Sequence, residues 1–221
     1  MVLLGARDPG RGEAAAVTLR AEGLTVRPVR LDVTDPATIE AAATWIEQEY
    51  GRLDVLVNNA GTVQEWGLDP TTLPVAVLWS TYETNVFGVV AVTNAMLPLL
   101  RRAPAARIVN MSSSLGSLAR SSDPGSDQYG VPLLAYNSSK AALNRITVQY
   151  ASALRDTPIK VNAACPGFCA TDMNGHRARR TPAQGAAIAV RLATFLRTAR
   201  PADSSKTPAR CRGDRPQLTK P

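Results

Sequence analysis

Residues 1–12 read "MVLLGARDPGRG": an apolar run, a turn carrying Gly5, Gly10 and Gly12, then an alanine-rich stretch with helical composition. Three readings of this stretch lead to different folds. A Walker-type phosphate loop needs G-x-x-x-x-G followed by Lys and a hydroxyl; Gly5 and Gly10 have the spacing, but Arg11 and Gly12 follow, so the residues that would hold phosphate and magnesium are absent. A dinucleotide fingerprint needs G-x-G-x-x-G, which is also absent, although Asp32 stands about 20 residues beyond Gly12, where a ribose-binding acid is sought. The third reading is a strand followed by a basic turn. The choice depends on which strand of the fold this is.

Working outward, "MVLLGA", "LTVRPVRLDV", "LDVLVNNAG", "ARIVNMSSS" and "IKVNAACPG" are apolar, β-prone runs. Between them lie "GEAAAVTLRAEG", "PATIEAAATWIEQEY", the span from about Leu73 to Leu100, and "LLAYNSSKAALNRITVQYASALR", all with helical pattern. Short Val- and Ile-rich strands alternating with helices predict an α/β fold with a doubly wound, Rossmann-like parallel sheet covered on both faces. Ligands in such sheets bind beyond the carboxyl ends of the strands. Arg7, Asp32, "NNAG", "SSS" and "CPG" each follow a strand directly. The polar stretch Leu118–Pro132 is a long excursion next to these signals, and no internal repeat interrupts the pattern.

The length of 221 residues suits one domain. The net charge of +7 hints at nucleic acid, but residues 197–221 carry +5 of it and the rest of the chain is nearly neutral. We expect a domain over 1–196 and a basic, Pro/Arg/Ser-rich disordered tail over 197–221. The tail lacks the interleaved aromatics of a nucleic-acid module, so no nucleic-acid partner is expected. Cys165, Cys169, Cys211 and the single His176 make no four-ligand metal site, and the cysteines read as reduced, packed thiols. No apolar run reaches the ~20 residues of a membrane span and no signal core opens the chain. A cytoplasmic protein without a membrane partner is the expectation.

Tyr136 and Lys140 of "YNSSK" lie one helical turn apart on one face. An ammonium beside a phenol favours the phenolate and lowers its pKa, which suits a general acid/base; alone, the pair is also what a helix surface yields by coincidence. With "NNAG", "TNVFG", "NMSSSLG" and "CPG" in this order around it, the chain resembles the short-chain dehydrogenase/reductase family, and within it the carbonyl reductase-like members that use NADPH. The resemblance spans residues 2 to about 196.

It implies that Tyr136 gives a proton to a substrate carbonyl oxygen, that Lys140 holds the nicotinamide ribose and lowers the tyrosine pKa, that Ser113 hydrogen-bonds the same oxygen, and that Asn85 keeps a water in line with Lys140. Ser112 and Ser114 are structural on this reading, with a shift by one residue left open. Asp32 and Val33 match the segment that meets the adenine, Asn59, Ala60 and Gly61 the segment along the adenosine ribose, Pro166 and Gly167 the turn against the nicotinamide, and Thr171 the hydroxyl beyond it. Without the resemblance, Asp32 is equally a turn or capping residue and Asn85 a packing residue. His176 reads as a surface residue, and Cys165 and Cys169 as small buried side chains.

In this family the strand ending in "NNAG" is the fourth, whereas only two strand patterns precede it here. Residues 2–6 therefore correspond to the second strand, where NADP-preferring members carry a basic residue; Arg7 and Arg11 become candidate partners of the 2′-phosphate. The first strand and its glycine-rich pyrophosphate turn are then expected to be missing from the middle of the sheet, and the last strand from its end. The alternative functional reading is a non-catalytic relative with weak cofactor binding. The expected partner is a small-molecule carbonyl compound, and the expected state a monomer, since the 118–132 excursion could obstruct helix pairing.

Overall fold

A computed structural model describes residues 1–194; the expected tail at 197–221 and Cys211 lie outside the described residues. Five strands alternate with helices: β1 (Val2–Ala6), α1 (Pro9–Ala21), β2 (Val26–Arg30), α2 (Pro36–Tyr50), β3 (Val55–Asn58), α3 (Val75–Tyr82), α4 (Gly88–Arg101), β4 (Arg107–Met111), α5 (Leu118–Ser121), α6 (Leu134–Ala153), β5 (Lys160–Ala164) and α7 (Pro182–Thr194). The strands are all parallel where they pair, as the alternating order predicts.

Helix starts follow local chemistry. Asp8 and Asp35 cap α1 and α2 by accepting from the Arg11 and Ala37 N–H groups, each at 3.0 Å. In each case a proline follows, where its missing N–H costs nothing. Gly51, at φ 70°, ends α2 in the left-handed conformation that a Cβ disfavours.

The sheet is divided. β1 pairs with β2, and β3–β4–β5 form a second sheet; no ladder joins β1 to β3. β1 and β3, which flank the place where a strand is expected to be missing, do not close against each other. Ladder alternation turns Leu3 and Gly5 of β1, and Val55 and Val57 of β3, away from their paired neighbours. Helices α2 and α4 pack against each other over one face, and their core (Ile39, Ala42, Ile46, Val92, Met96, Leu99, Leu100) touches Leu3 and Val29 on one side and Leu56 on the other.

The three-stranded half is fastened by a buried polar chain. Asn58 Nδ2 donates to Thr93 Oγ1 (3.1 Å) and to Asn110 Oδ1 (2.8 Å), Asn110 Nδ2 donates to Thr147 Oγ1 (2.9 Å), and Thr147 Oγ1 donates to the Leu143 carbonyl (2.8 Å). β3, β4, α4 and α6 are thereby locked in one register. Such a network rigidifies when each member finds a partner.

One expectation needs correcting. A single helical run, Val75–Arg101, joins α3, a π-helical turn at Glu83–Phe87 and α4, and its 27 residues are long and apolar enough by composition to cross a bilayer. Its apolar residues Val89, Val92, Met96, Leu99 and Leu100 are core residues of the fold, while Val75, Trp79 and Phe87 are exposed.

Candidate active site

The carboxyl ends of β3, β4 and β5 bring together "NNAG", "SSS" and "CPG", and α6 lies across them. Gly116 permits the close approach of the β4 turn to α6: a Cβ there would lie 2.6 Å from the Lys140 backbone carbon and 2.8 Å from its oxygen. Of the three serines, Ser112 donates to Asn144 Oδ1 on α6 (2.6 Å) and Ser114 to Gln128 Oε1 (3.1 Å). Ser113 is the one whose hydroxyl stands near enough to the Tyr136 phenol to favour its ionised form, and it accepts from the Leu115 N–H at 3.2 Å.

The electrostatics depart from the expectation at Tyr136. Burial pushes the phenol pKa up, the nearby Ser113 hydroxyl pulls it down, and Cys165 adds a further upward push. The Lys140 ammonium lies over the Tyr136 ring, 5.6 Å from its centroid, and donates to the Met111 carbonyl at 2.8 Å. Lys140 itself is only 4% exposed, and this burial pushes its pKa down to about 8.

Asn85 sits in the π-helical turn, 0% exposed. Its Nδ2 donates to the Thr62 carbonyl and to Ser139 Oγ, both at 3.0 Å, and its Oδ1 accepts from the Thr62 N–H at 2.8 Å. This clamps the end of "NNAGT" against α6. A Cβ on Gly61 would lie 3.5 Å from Asn85 Oδ1 and 3.6 Å from Lys140 Nζ, ordinary contact distances that put this loop beside the ammonium. π-turns of this sort recur at functional sites. Asn59 and Ala60 are exposed beside Gly61.

Asp32 makes a local turn: its Oδ1 accepts from the Thr34 N–H (2.9 Å) and Thr34 Oγ1 (2.7 Å). These bonds, with the Arg7 and Arg30 charges, hold its carboxyl below the usual range. Val33 packs beneath Gly88, whose Cβ would meet the Val33 carbonyl oxygen at 2.7 Å. Arg7 and Arg11 are exposed at the carboxyl end of β1 and the start of α1, and neither forms an ion pair among the described residues. Asp8, held low chiefly by the Arg11 N–H bond, feels both guanidinium charges. On the far side, Pro166 and Gly167 (φ 78°) form the turn after β5, and the Thr171 N–H donates to Asn174 Oδ1 at 3.3 Å. His176 is exposed and pairs with Asp172 at 2.9 Å. Cys169 is half-buried against Pro166 and Gly185.

Two residues near the site escape the sequence reading. Glu65 accepts from the backbone N–H groups of Ala135 (2.9 Å) and Tyr136 (2.6 Å). Trp66 Nε1 donates to the Met173 carbonyl at 2.8 Å, with the Arg177 guanidinium 5.7 Å from its ring centroid. Both follow "NNAG" in a loop without regular pattern, and no motif marks them.

A family model described as short chain dehydrogenase matches residues 1–182. "Carbonyl reductase [NADPH] 1" of Homo sapiens is 36% identical over 227 residues, covering 87% of this chain and 80% of that protein. "Short-chain dehydrogenase anuI" of Penicillium roqueforti is 35% identical over 200 residues, covering 87% and 78%. Among solved structures, NADPH-bound carbonyl reductase from chicken fatty liver superposes with a TM-score of 0.75 at 30% identity, over 88% of this chain and 80% of that one. With a match over most of its length and its motif residues gathered at one sheet edge, the chain belongs to the short chain dehydrogenase family of oxidoreductases.

Proposed function

We propose that this chain reduces an aldehyde or ketone to the alcohol, and runs the reverse reaction, with NADPH as its cofactor. One observation carries the reading: a half-buried phenol with the Ser113 hydroxyl against it stands one helical turn from a buried ammonium, and that ammonium spends one of its three donors on the protein.

The residues fit a nicotinamide dinucleotide at its two ends. Lys140, with two donors uncommitted among the described residues and the Gly61 backbone alongside, would hold ribose hydroxyls; Pro166, Gly167 and Thr171 would bound the nicotinamide. Arg7 and Arg11 would pair with the 2′-phosphate through guanidinium donors, while Asp32, Val33, Asn59 and Ala60 would border the adenosine. When bound, the cofactor supplies the hydride. The names of the human relative and the chicken structure, both given with NADPH, support this choice.

Ser113 orients the carbonyl oxygen and stabilises charge that develops on it. Tyr136 gives that oxygen its proton. A phenol is protonated at neutral pH, which is the state that reduction requires, and burial pushes its pKa further up, so the reverse reaction should gain as pH rises toward that pKa. Both amide hydrogens of Asn85 are committed to Thr62 and Ser139, so a water held for proton relay would rely on the second lone pair of Oδ1.

The test is turnover of NADPH with a panel of aldehydes and ketones, followed at 340 nm. We expect a rate that falls by about 10²–10⁴ in Tyr136→Phe. No turnover sensitive to Tyr136→Phe would contradict the proposal and favour the non-catalytic alternative.

A further inference from the structure

We infer that Glu65 is the positioning residue of the catalytic helix: from a loop 70 residues upstream it caps the first turn of α6 and fixes where Tyr136 stands. This inference rests on the function proposed above.

The first N–H groups of a helix lack partners within it and are usually served by an Asp, Asn, Ser or Thr at the N-cap. α6 has none: its N-cap is Leu133, which has no acceptor, and no local side chain bonds the first turn. Glu65 fills the role from outside. Its Oε2 accepts from Ala135 and its Oε1 from Tyr136, the second and third helical positions, which are the two an N-cap side chain would serve. The carboxylate is 2% exposed. Burying a charge is costly unless charge-assisted hydrogen bonds and a favourable field offset it, and the positive end of a 20-residue helix supplies both.

The flanks of Glu65 fasten its loop to the other walls of the site. Thr62 is held by Asn85 on one side, and Trp66 by the Met173 carbonyl on the other. The segment from Thr62 to Trp66 thus ties together the π-helical turn, the start of α6 and the loop after β5. Tyr136 carries both the bonded N–H and the reacting phenol, so loosening the first turn moves the phenol away from Ser113.

Two readouts on the intact chain test this, one of which needs no activity. In hydrogen exchange, Glu65→Ala should speed exchange of the peptide covering Leu133–Asn137 by roughly 10-fold or more, leaving Leu143–Ala153 at wild-type protection. Glu65→Gln keeps one acceptor oxygen and should fall between. In turnover, kcat should drop ~10–100-fold in Glu65→Ala with KM for NADPH within about threefold, and Glu65→Gln should recover part of the loss. Thr147→Val, which removes two buried hydrogen bonds from α6, controls for general destabilisation: it should lower the melting temperature without opening the first turn.

If wild type shows no turnover, the functional reading fails while exchange still decides the capping role. If Glu65→Ala does not fold, Glu65→Gln gives the same two readouts. Wild-type exchange over Leu133–Asn137 in the folded Glu65 variants, or equal loosening in Thr147→Val, overturns the inference.

Discussion

The two parts of the divided sheet differ in burial and, on the function proposed above, in work. In the three-stranded part, Arg107, Ile108, Val109 and Asn110 of β4 are all buried, and the Asn58–Asn110–Thr147 chain joins strands to helices. Ser113, Tyr136, Lys140 and Asn85 all hang from this part. In the two-stranded part, Val2 is 55% exposed, and across the divide Val57 of β3 is 41% exposed; this part carries Arg7 and Arg11. On the function proposed above, the chemistry is built on the better-buried part, and nucleotide selection on the part with less to hold it. A two-stranded unit is marginal without packing from elsewhere, and here α2 and α4 supply that packing.

The contrast can be broken in several ways. The largest expected effect is in hydrogen exchange: amides of Ile108 and Val109 should be protected on the order of 100-fold more than those of Leu4 and Ala6, since the former open only with the core. Equal protection would mean that the two parts unfold as one unit.

Lys140→Met comes next. The Lys140 pKa is lowered on folding from 10.5 to about 8, so the buried ammonium destabilises the fold fully below pH 8, and this cost fades as pH rises toward 10.5. Replacing it should raise stability by about 1–3 kcal/mol at pH 7 and by little near pH 10, while ending turnover. Urea unfolding at the two pH values measures the difference; a pH-independent effect would show that burial of charge is not its source.

The smallest expected effect is in the two-stranded part. Arg7→Glu with Arg11→Glu should raise KM for NADPH roughly 10-fold or more while changing KM for NADH little and leaving the melting temperature near wild type, because both side chains are exposed and, among the described residues, outside any ion pair. An equal loss for both nucleotides would remove the 2′-phosphate assignment.

How much of this was legible in the sequence follows from the range of each interaction. The five strands and the helices α2, α4 and α6 were legible from apolar runs and helical pattern, but the stretch read as a glycine turn was not: Gly5 lies in β1, and α1 begins at Pro9, with Asp8 as its cap, so that Gly10 and Gly12 are helical. Counting strands marked the place where the sheet divides, but not that the strands on either side stay apart. The Tyr136–Lys140 pair was legible from helical spacing, but its electrostatics were not: spacing says that two groups are near, while the sign of the phenol shift depends on burial and on the ammonium turning to Met111. Glu65 was illegible because the helix it caps begins 70 residues later, at an N-cap leucine that gives no local hint.

The central claim is that the site assembled on the three-stranded part works with a nucleotide held partly by the two-stranded part. Titration of NADPH and of NADH into the intact chain, with Tyr136→Phe alongside, tests it most directly. We predict saturable NADPH binding that Tyr136→Phe retains and that is roughly 10-fold or more tighter than NADH binding. Absence of saturable NADPH binding, or equal affinity for the two nucleotides, would contradict the account.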